Sequence, residues 1–258
     1  MREASSLSGS GDSPATIPTP LQRLLMREYP ASRPVMRQRW SQLLFLHWPV
    51  DPEWIRSRLP AGLHVDLFDD RGWLGVVPFA MERVHPVGLP PLPWISWFLE
   101  LNVRTYVHDD AGRAGVWFFS LDCNQPLAVE VARRFFHLPY HHARIHAACE
   151  DGETIYTSQR RGSKNTSSFR YRNPVRAEPA PEHSLEWFLV ERYLLFTTDR
   201  TGQIRSGRVH HTPYRIEAAD CAEWSSEPIL EDGFGCIQGP PASMLVAEPV
   251  DVRIFPLV

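Results

Sequence analysis

One stretch, residues 115–146, constrains the chain more than any other: G-V-W-F-F-S-L-D-C-N-Q-P-L-A-V-E-V-A-R-R-F-F-H-L-P-Y-H-H-A-R-I-H. It reads as strand, helix and strand with almost no slack. Residues 115–121 are short, apolar and aromatic, the profile of a buried strand. Asn124 is the expected N-cap, and Pro126 falls in the first helical turn, where a missing N–H costs little. Leu127, Val131 and Phe135 recur at helical spacing, and Pro139 stops the helix because the residue before a proline is pushed out of the α region. Beyond it, Tyr140, His142, Arg144 and His146 share one face of a strand, with His141, Ala143 and Ile145 on the other.

The rest of the chain predicts further antiparallel hairpins. Residues 1–20 are rich in Ser, Gly, Pro and Thr and predict a disordered tail ahead of a single domain over 21–258. Residues 21–29 predict a short helix and residues 40–48 the first strand. Asp51 and Pro52 open another helix. Residues 65–68 and 73–79 flank Asp69-Asp70-Arg71-Gly72 as a hairpin. Residues 85–93 carry four prolines and form an apolar loop, followed by Trp94 and Trp97, that either plugs a barrel end or covers a pocket. Turns at residues 109–112, 151–152 and 200–202 join further strand pairs, Ser184 caps a helix through Trp187 and Phe188, and residues 250–255 close the chain as a strand. The pattern is mainly β, or α+β, with about three flanking helices. Barrel closure is the preferred arrangement because it removes exposed strand edges.

Composition narrows the function classes. With a net charge of −3, nothing in the composition suggests a nucleic-acid-binding surface. Cys123, Cys149, Cys221 and Cys236 show no C-x-x-C spacing, which fits reduced thiols in a cytoplasmic protein. No apolar run approaches a membrane span, and the N-terminus has no basic-then-apolar signal pattern. His137, His141, His142 and His146 invite a metal reading. Pro139 breaks any helix between the first two, His141 faces away from His142, and no carboxylate or thiol completes a set, so no metal and no other cofactor is expected. Lys164 is the only lysine.

Glu100, Asn102, Arg104 and Tyr106 alternate with Leu101, Val103, Thr105 and Val107 at a period of two. This is either an ordinary strand with one wet face or a polar face turned into a barrel cavity, where an acid and a base could bind or protonate a small polar ligand.

The string R-R-F-F-H-L-P-Y-H-H, preceded by F-F-S-L-D, resembles the DUF2071 (YqjF-like) family, which is grouped with acetoacetate decarboxylase-like proteins. H-W-P-V-D-P, L-P-A-G-L, W-L-G-V-V-P-F, E-L-N-V-R-T-Y-V, S-L-E-W-F-L-V-E-R-Y and V-H-H-T-P follow the same order over residues 36–257. The resemblance implies a mostly antiparallel β-barrel with a cavity. It also implies that Glu100 is the glutamate facing the active site, and that the family's binding arginine is Arg37 or Arg39. The decarboxylases follow their helix-ending proline with two lysines, the first a Schiff-base nucleophile whose pKa the second lowers. Here those slots hold Tyr140 and His141, neither of which forms an iminium, and Lys164 lies in a polar stretch elsewhere. The expectation is a small-molecule-binding protein, or an enzyme acting on a small organic acid or carbonyl compound without a Schiff base. Glu100 and Tyr140 are its candidate catalytic groups, and Arg104, Asn102 and His142 its candidate substrate-binding groups. Tyr140 is alternatively a buried aromatic with a satisfied hydroxyl. The rival function is a non-catalytic interaction or structural protein whose barrel is filled by side chains.

Overall fold

The structure, a computed structural model, describes residues 15–258. Most of the expected tail lies outside the described residues, but its last part is built into the domain. The Thr16 N–H donates to the Asp110 carbonyl (3.1 Å), Pro18 is buried, and Thr19 forms a capping box with Gln22 on α1 (Pro20–Leu25).

The expected first strand is two strands. β1 (Met36–Ser41) and β2 (Leu43–Val50) are broken apart by Gln42, whose φ of 51° interrupts the extended chain. α2 (Pro52–Arg56) is capped by Asp51 as expected. β3 (Leu63–Val65) and β4 (Gly72–Pro86) do not pair as the predicted hairpin. β3 pairs instead with β5 (Phe98–Asp109), His64 against His108, and only the bridge between Phe68 and Arg71 remains at the turn. β6 (Ala114–Cys123) leads into α3 (Pro126–Val131), which continues as a π-helical turn over Ala132–Phe136.

Two details of this junction differ from the sequence reading. The cap is Gln125, whose side chain accepts from the Leu127 N–H, because Asn124 is occupied by the Leu99 N–H and the Ile145 carbonyl. The helix ends not at Pro139 but at His137, which adopts the left-handed conformation (φ 52°) that closes a helical C-terminus. There follow β7 (Tyr140–Glu150), β8 (Glu153–Arg160), β9 (Ser167–Arg172), β10 (Glu178–Pro179) and α4 (Leu185–Val190). The chain finishes with β11 (Leu194–Thr198), β12 (Ile204–His210), β13 (Arg215–Ala218), β14 (Cys221–Glu223), α5 (Glu227–Glu231), β15 (Ser243–Ala247) and β16 (Val250–Leu257).

The sheet closes on itself. β4 pairs with β1, β1 with β16, β16 with β12, β12 with β11, β11 with β6, β6 with β5, and β5 with β4. All of these pairs are antiparallel except the seam of β11 with β6. There Gly115 is required, since a Cβ would lie 2.6 Å from the Leu194 carbonyl oxygen.

Two branches leave the ring. One continues from the first half of β4 through β2, β15, β13 and β10. The other leaves β6 through a short parallel pairing with β7 and runs on to β8, β9 and β14. This second branch covers the outer face of the ring, where the Tyr156 hydroxyl donates to the Glu100 carbonyl (2.8 Å) and the Tyr171 hydroxyl to the Gln42 carbonyl (2.6 Å).

β5 therefore has a core on each face. Leu101 and Val103 pack outward against Ile145 and Phe169, while Phe98 and Tyr106 belong to the core inside the ring. Each fully buried aliphatic side chain of this kind stabilises the fold by about 1.5–3 kcal/mol. The strand is anchored from both sides, which fixes its register and so the positions of the polar residues between them.

Candidate functional site

Inside the ring lies a cavity of about 330 Å³, within the range of small-ligand sites. Its walls are mainly apolar, and Glu100, Asn102 and Arg104 all line it. The period-two face of β5 is thus turned to the cavity rather than to bulk water. The register explains the flanking walls. Glu100 lies opposite Phe79 on β4 and Cys123 on β6, and Asn102 opposite Val77 and Leu121. A bulge at Phe119, where Val103 pairs with Ser120 and Arg104 with Phe118, shifts the alternation of β6. Phe118 and Leu121 consequently both face the cavity, and Ser120 and Asp122 face the other way.

Tyr140, delivered by the helix–proline junction, donates its hydroxyl to Glu100 Oε2 at 2.6 Å. Both residues are buried. Burial pushes the Glu100 carboxyl up to about 7, and the Tyr140 hydrogen bond and the side chain of Asn102 oppose that rise by favouring the ionised form. The Tyr140 phenol is raised well above its ordinary value, by burial first and then by the adjacent Glu100 charge, so it serves as a hydrogen-bond donor. Burial and the nearby Glu100 also push the Cys123 thiol up to about 12, which keeps it protonated and unreactive. A carboxyl poised near neutrality and held by a phenol is suited to taking up or giving away a proton.

Farther along β5, Arg104 donates to the Leu189 carbonyl (3.2 Å) and, more weakly, to the Tyr106 hydroxyl (3.4 Å). That hydroxyl also meets His47 Nε2 at 2.7 Å. Burial, and then the charge of Arg104, lower the His47 pKa well below its ordinary value, so the ring is neutral. Gly75, opposite Arg104 on β4, makes room for this pair, since a Cβ there would sit 3.1 Å from His47 Cδ2 and 3.4 Å from Arg104 Cγ. Among the described residues no carboxylate lies within ion-pairing distance of Arg104. Its Nε, and Asn102 Oδ1, are buried without partners. Such atoms are costly unless a ligand or water meets them.

Three expected positions are placed as follows, and of the two readings left open for the proline-rich loop the plug is excluded. His142 does not line the cavity; it lies beneath α3, with Nε2 3.2 Å from Glu130 Oε1. It shares a strand face with Tyr140, but two residues farther along that face is covered by the helix. Arg37 and Arg39 point outward on β1, Arg39 pairing with Asp251 and Glu82, and Gln38 between them faces the cavity instead. The loop after β4 does not plug the barrel. Trp94 is 79% exposed and Leu89, Leu92 and Trp97 also meet solvent, so only Ile95 reaches the cavity. The loop is tied to the helical cap by Gln125, which donates to the Trp94 carbonyl at 2.9 Å. Leu127, half exposed and lining the cavity, marks the mouth between them.

Lys164 is exposed between β8 and β9 and does not line the cavity. No group of three or more His, Cys, Asp or Glu side chains placed to hold a metal ion occurs among the described residues, and no helix there is long and apolar enough to cross a membrane.

Behind β6, Arg160 joins Asp122, Asp232 and Ser120 at 2.7–2.8 Å. Burial raises Asp122 to about 6 against the pull of Arg160. The cluster backs the strand pair that carries Glu100. Ser120 and Asp122 both lie in the F-F-S-L-D string, whereas Arg160 and Asp232 lie far from it in sequence and in none of the motifs quoted above.

The family model for DUF2071, described as an uncharacterized conserved protein, matches residues 37–251. The chain belongs to the DUF2071 family. YqjF of Bacillus subtilis strain 168, itself described as uncharacterized, is 37% identical over 227 residues, covering 86% of this chain and 91% of that protein. Among solved structures, the DUF2071 chain is similar to an acetoacetate decarboxylase-like enzyme from Sphingomonas wittichii RW1, with a TM-score of 0.60, 15% identity, and coverage of 88% of this chain and 93% of that one. It is also similar to the enduracididine biosynthesis enzyme MppR complexed with pyruvate, with a TM-score of 0.58, 12% identity, and coverage of 90% and 92%. At these identities the structural likeness establishes the acetoacetate decarboxylase-like fold of this DUF2071 protein.

Proposed function

We propose that this DUF2071 protein binds a small organic acid or carbonyl compound in the ring cavity and moves a proton on it without forming a Schiff base. The observation that carries this reading is the buried Glu100–Tyr140 pair opening on the cavity. Arg104 supports it, because a cavity-lining guanidinium without a carboxylate partner offers a fork of donors to a ligand carboxylate. The MppR complex supports it by analogy, since a protein of the same fold holds pyruvate.

In the proposed chemistry, ionised Glu100 accepts a proton from a carbon next to the ligand carbonyl. The C–H pair becomes a carbon–carbon double bond and the carbonyl π pair moves onto the oxygen, giving an enolate. Protonated Glu100 no longer needs the Tyr140 donor, which turns to the oxyanion. Tyr140 and His141 fill the slots where the decarboxylases carry lysines, and Lys164 lies outside the cavity, so no iminium forms. The rival of a barrel filled by its own side chains is disfavoured, because Trp94 and Trp97 stand outside an open cavity.

A thermal-shift screen of small carboxylates and oxo acids tests the proposal. Hits should be weakened by Arg104→Met, and hits whose oxo group reaches the Glu100–Tyr140 pair also by Tyr140→Phe, each by roughly ten- to a hundredfold, the loss expected for one buried charged hydrogen bond. Hits indifferent to both substitutions would place the ligand elsewhere.

A further inference from the structure

Glu100, Asn102 and Arg104 face the same cavity from alternate positions of one strand, and this spacing bears on the length of the ligand. Four residues of strand rise about 13 Å. The two ends of this row differ in character. Near Glu100 the cavity opens past Phe98 and Ile95 to the mouth at Leu127. Near Arg104 it is closed by buried Phe45 and Tyr214 and by α4, whose Leu189 carbonyl holds the guanidinium. The arginine with an unpartnered buried Nε therefore sits at the closed end, and the proton-transferring pair sits partway to the mouth.

Apart from Asn102, the surfaces between these two points are apolar. On the flanking strands Val77 and Leu121 border Asn102, and Val209 and Ile254 face them across the ring. The Arg104 guanidinium turns toward Tyr106 and the Leu189 carbonyl, away from Glu100, so this strand spacing favours a ligand longer than acetoacetate, whose carboxylate and carbonyl are separated by one carbon.

We infer that the ligand is an elongated, medium-chain carboxylic acid. Its carboxylate lies on Arg104 at the closed end, its apolar stem runs past Val77 and Leu121, and an oxo or hydroxyl oxygen several carbons away meets the Glu100–Tyr140 pair. Asn102 Oδ1, buried without a partner midway along the row, accepts a hydrogen bond from a hydroxyl on the stem or from a single water. The inference rests on the proposed function, and it adds the length, the orientation and the position of the reacting oxygen.

Isothermal titration of butyrate, hexanoate, octanoate and 1-octanol into the full chain tests it. Affinity should rise about fourfold per added methylene, the equivalent of about 0.8 kcal/mol per buried CH₂. Arg104→Met should weaken all three acids by a common factor while keeping that slope, Arg104→Lys should recover part of the loss, and 1-octanol should be indifferent to both variants. Circular dichroism and the retained binding of 1-octanol show whether a variant is folded. Octanoate carrying an oxo group next to its methyl end should be weakened by Tyr140→Phe, whereas octanoate with the oxo group beside its carboxylate should not.

Acids that bind through Arg104 with no dependence on chain length would overturn the elongated ligand and leave the proposed function standing. So would sensitivity to Tyr140→Phe confined to the acid with adjacent groups. Failure of every acid and oxo acid to bind would overturn both.

Discussion

Tyr140→Phe removes one hydroxyl from a site where its loss has a calculable consequence. The hydroxyl donates to Glu100 Oε2 at 2.6 Å in a buried setting, and a hydrogen bond to a charged group there contributes about 1.5–3 kcal/mol. That stabilisation belongs to the ionised carboxylate. At 1.36 kcal/mol per pH unit, its loss moves the Glu100 titration upward by about one to two pH units.

The effect on stability follows from linkage. Glu100 titrates at about 7 in the folded protein against an ordinary 4.5. Below the lower value both states hold the proton and the contribution is intact. Between the two values the unfolded chain loses its proton first, so stability falls as pH rises, by about 3 kcal/mol in all, and the fall ends as pH passes the folded value. In Tyr140→Phe the fall should continue through the next one to two pH units, where the wild type no longer loses stability from this group.

Urea unfolding at intervals from about pH 5 to about pH 9 reads this directly. Asp122, raised to about 6, titrates in an overlapping range, so each curve is compared with the same variant on a Glu100→Gln background. A Tyr140→Phe curve parallel to wild type above neutrality would mean that the Tyr140 hydroxyl does not hold down the Glu100 titration. A Glu100→Gln protein that keeps the full loss of stability between about pH 5 and about pH 7 would refute the assignment of that loss to Glu100.

Three further outcomes follow. Borohydride reduction in the presence of acetoacetate should leave the intact mass unchanged, and an adduct mapping to Lys164 would contradict the chemistry proposed. Arg160→Met should destabilise the fold by about 3–5 kcal/mol, because it strands buried Asp122 and Asp232 without their shared cation; a change below about 1 kcal/mol by urea unfolding would contradict that burial. Deleting residues 1–20 should lower the melting temperature by a few degrees, since it removes the Thr19 cap and the Thr16–Asp110 hydrogen bond; an unchanged value would restore the reading of this whole segment as dispensable.

The polar face of β5 was legible in the sequence because a period of two survives intact from Glu100 to Tyr106. Whether that face met water or a cavity was not legible, since the answer depends on β16 and β12 closing the ring far along the chain. Tyr140 stood out through the helix–proline junction, but its partner lies forty residues away on another strand. His142 was misplaced because strand alternation says which face a side chain takes and nothing about the helix covering that face. The break at Gln42 and the pairing of β3 with β5 left no mark in composition, because a left-handed glutamine and a long-range partner are chosen by tertiary packing. Residues 212–249 carry short strands and α5 with no clear periodicity. They supply Asp232, which completes the ion cluster behind the site.

The cavity is proposed to hold a ligand between Arg104 and the Glu100–Tyr140 pair. A crystal structure of the protein soaked with the best carboxylate from the thermal-shift screen tests it most directly. Density is expected inside the ring, with the carboxylate within hydrogen-bonding distance of Arg104 and the chain of the ligand directed past Asn102 toward Tyr140. Density for the same compound elsewhere on the surface, with the cavity holding only water, would contradict that placement.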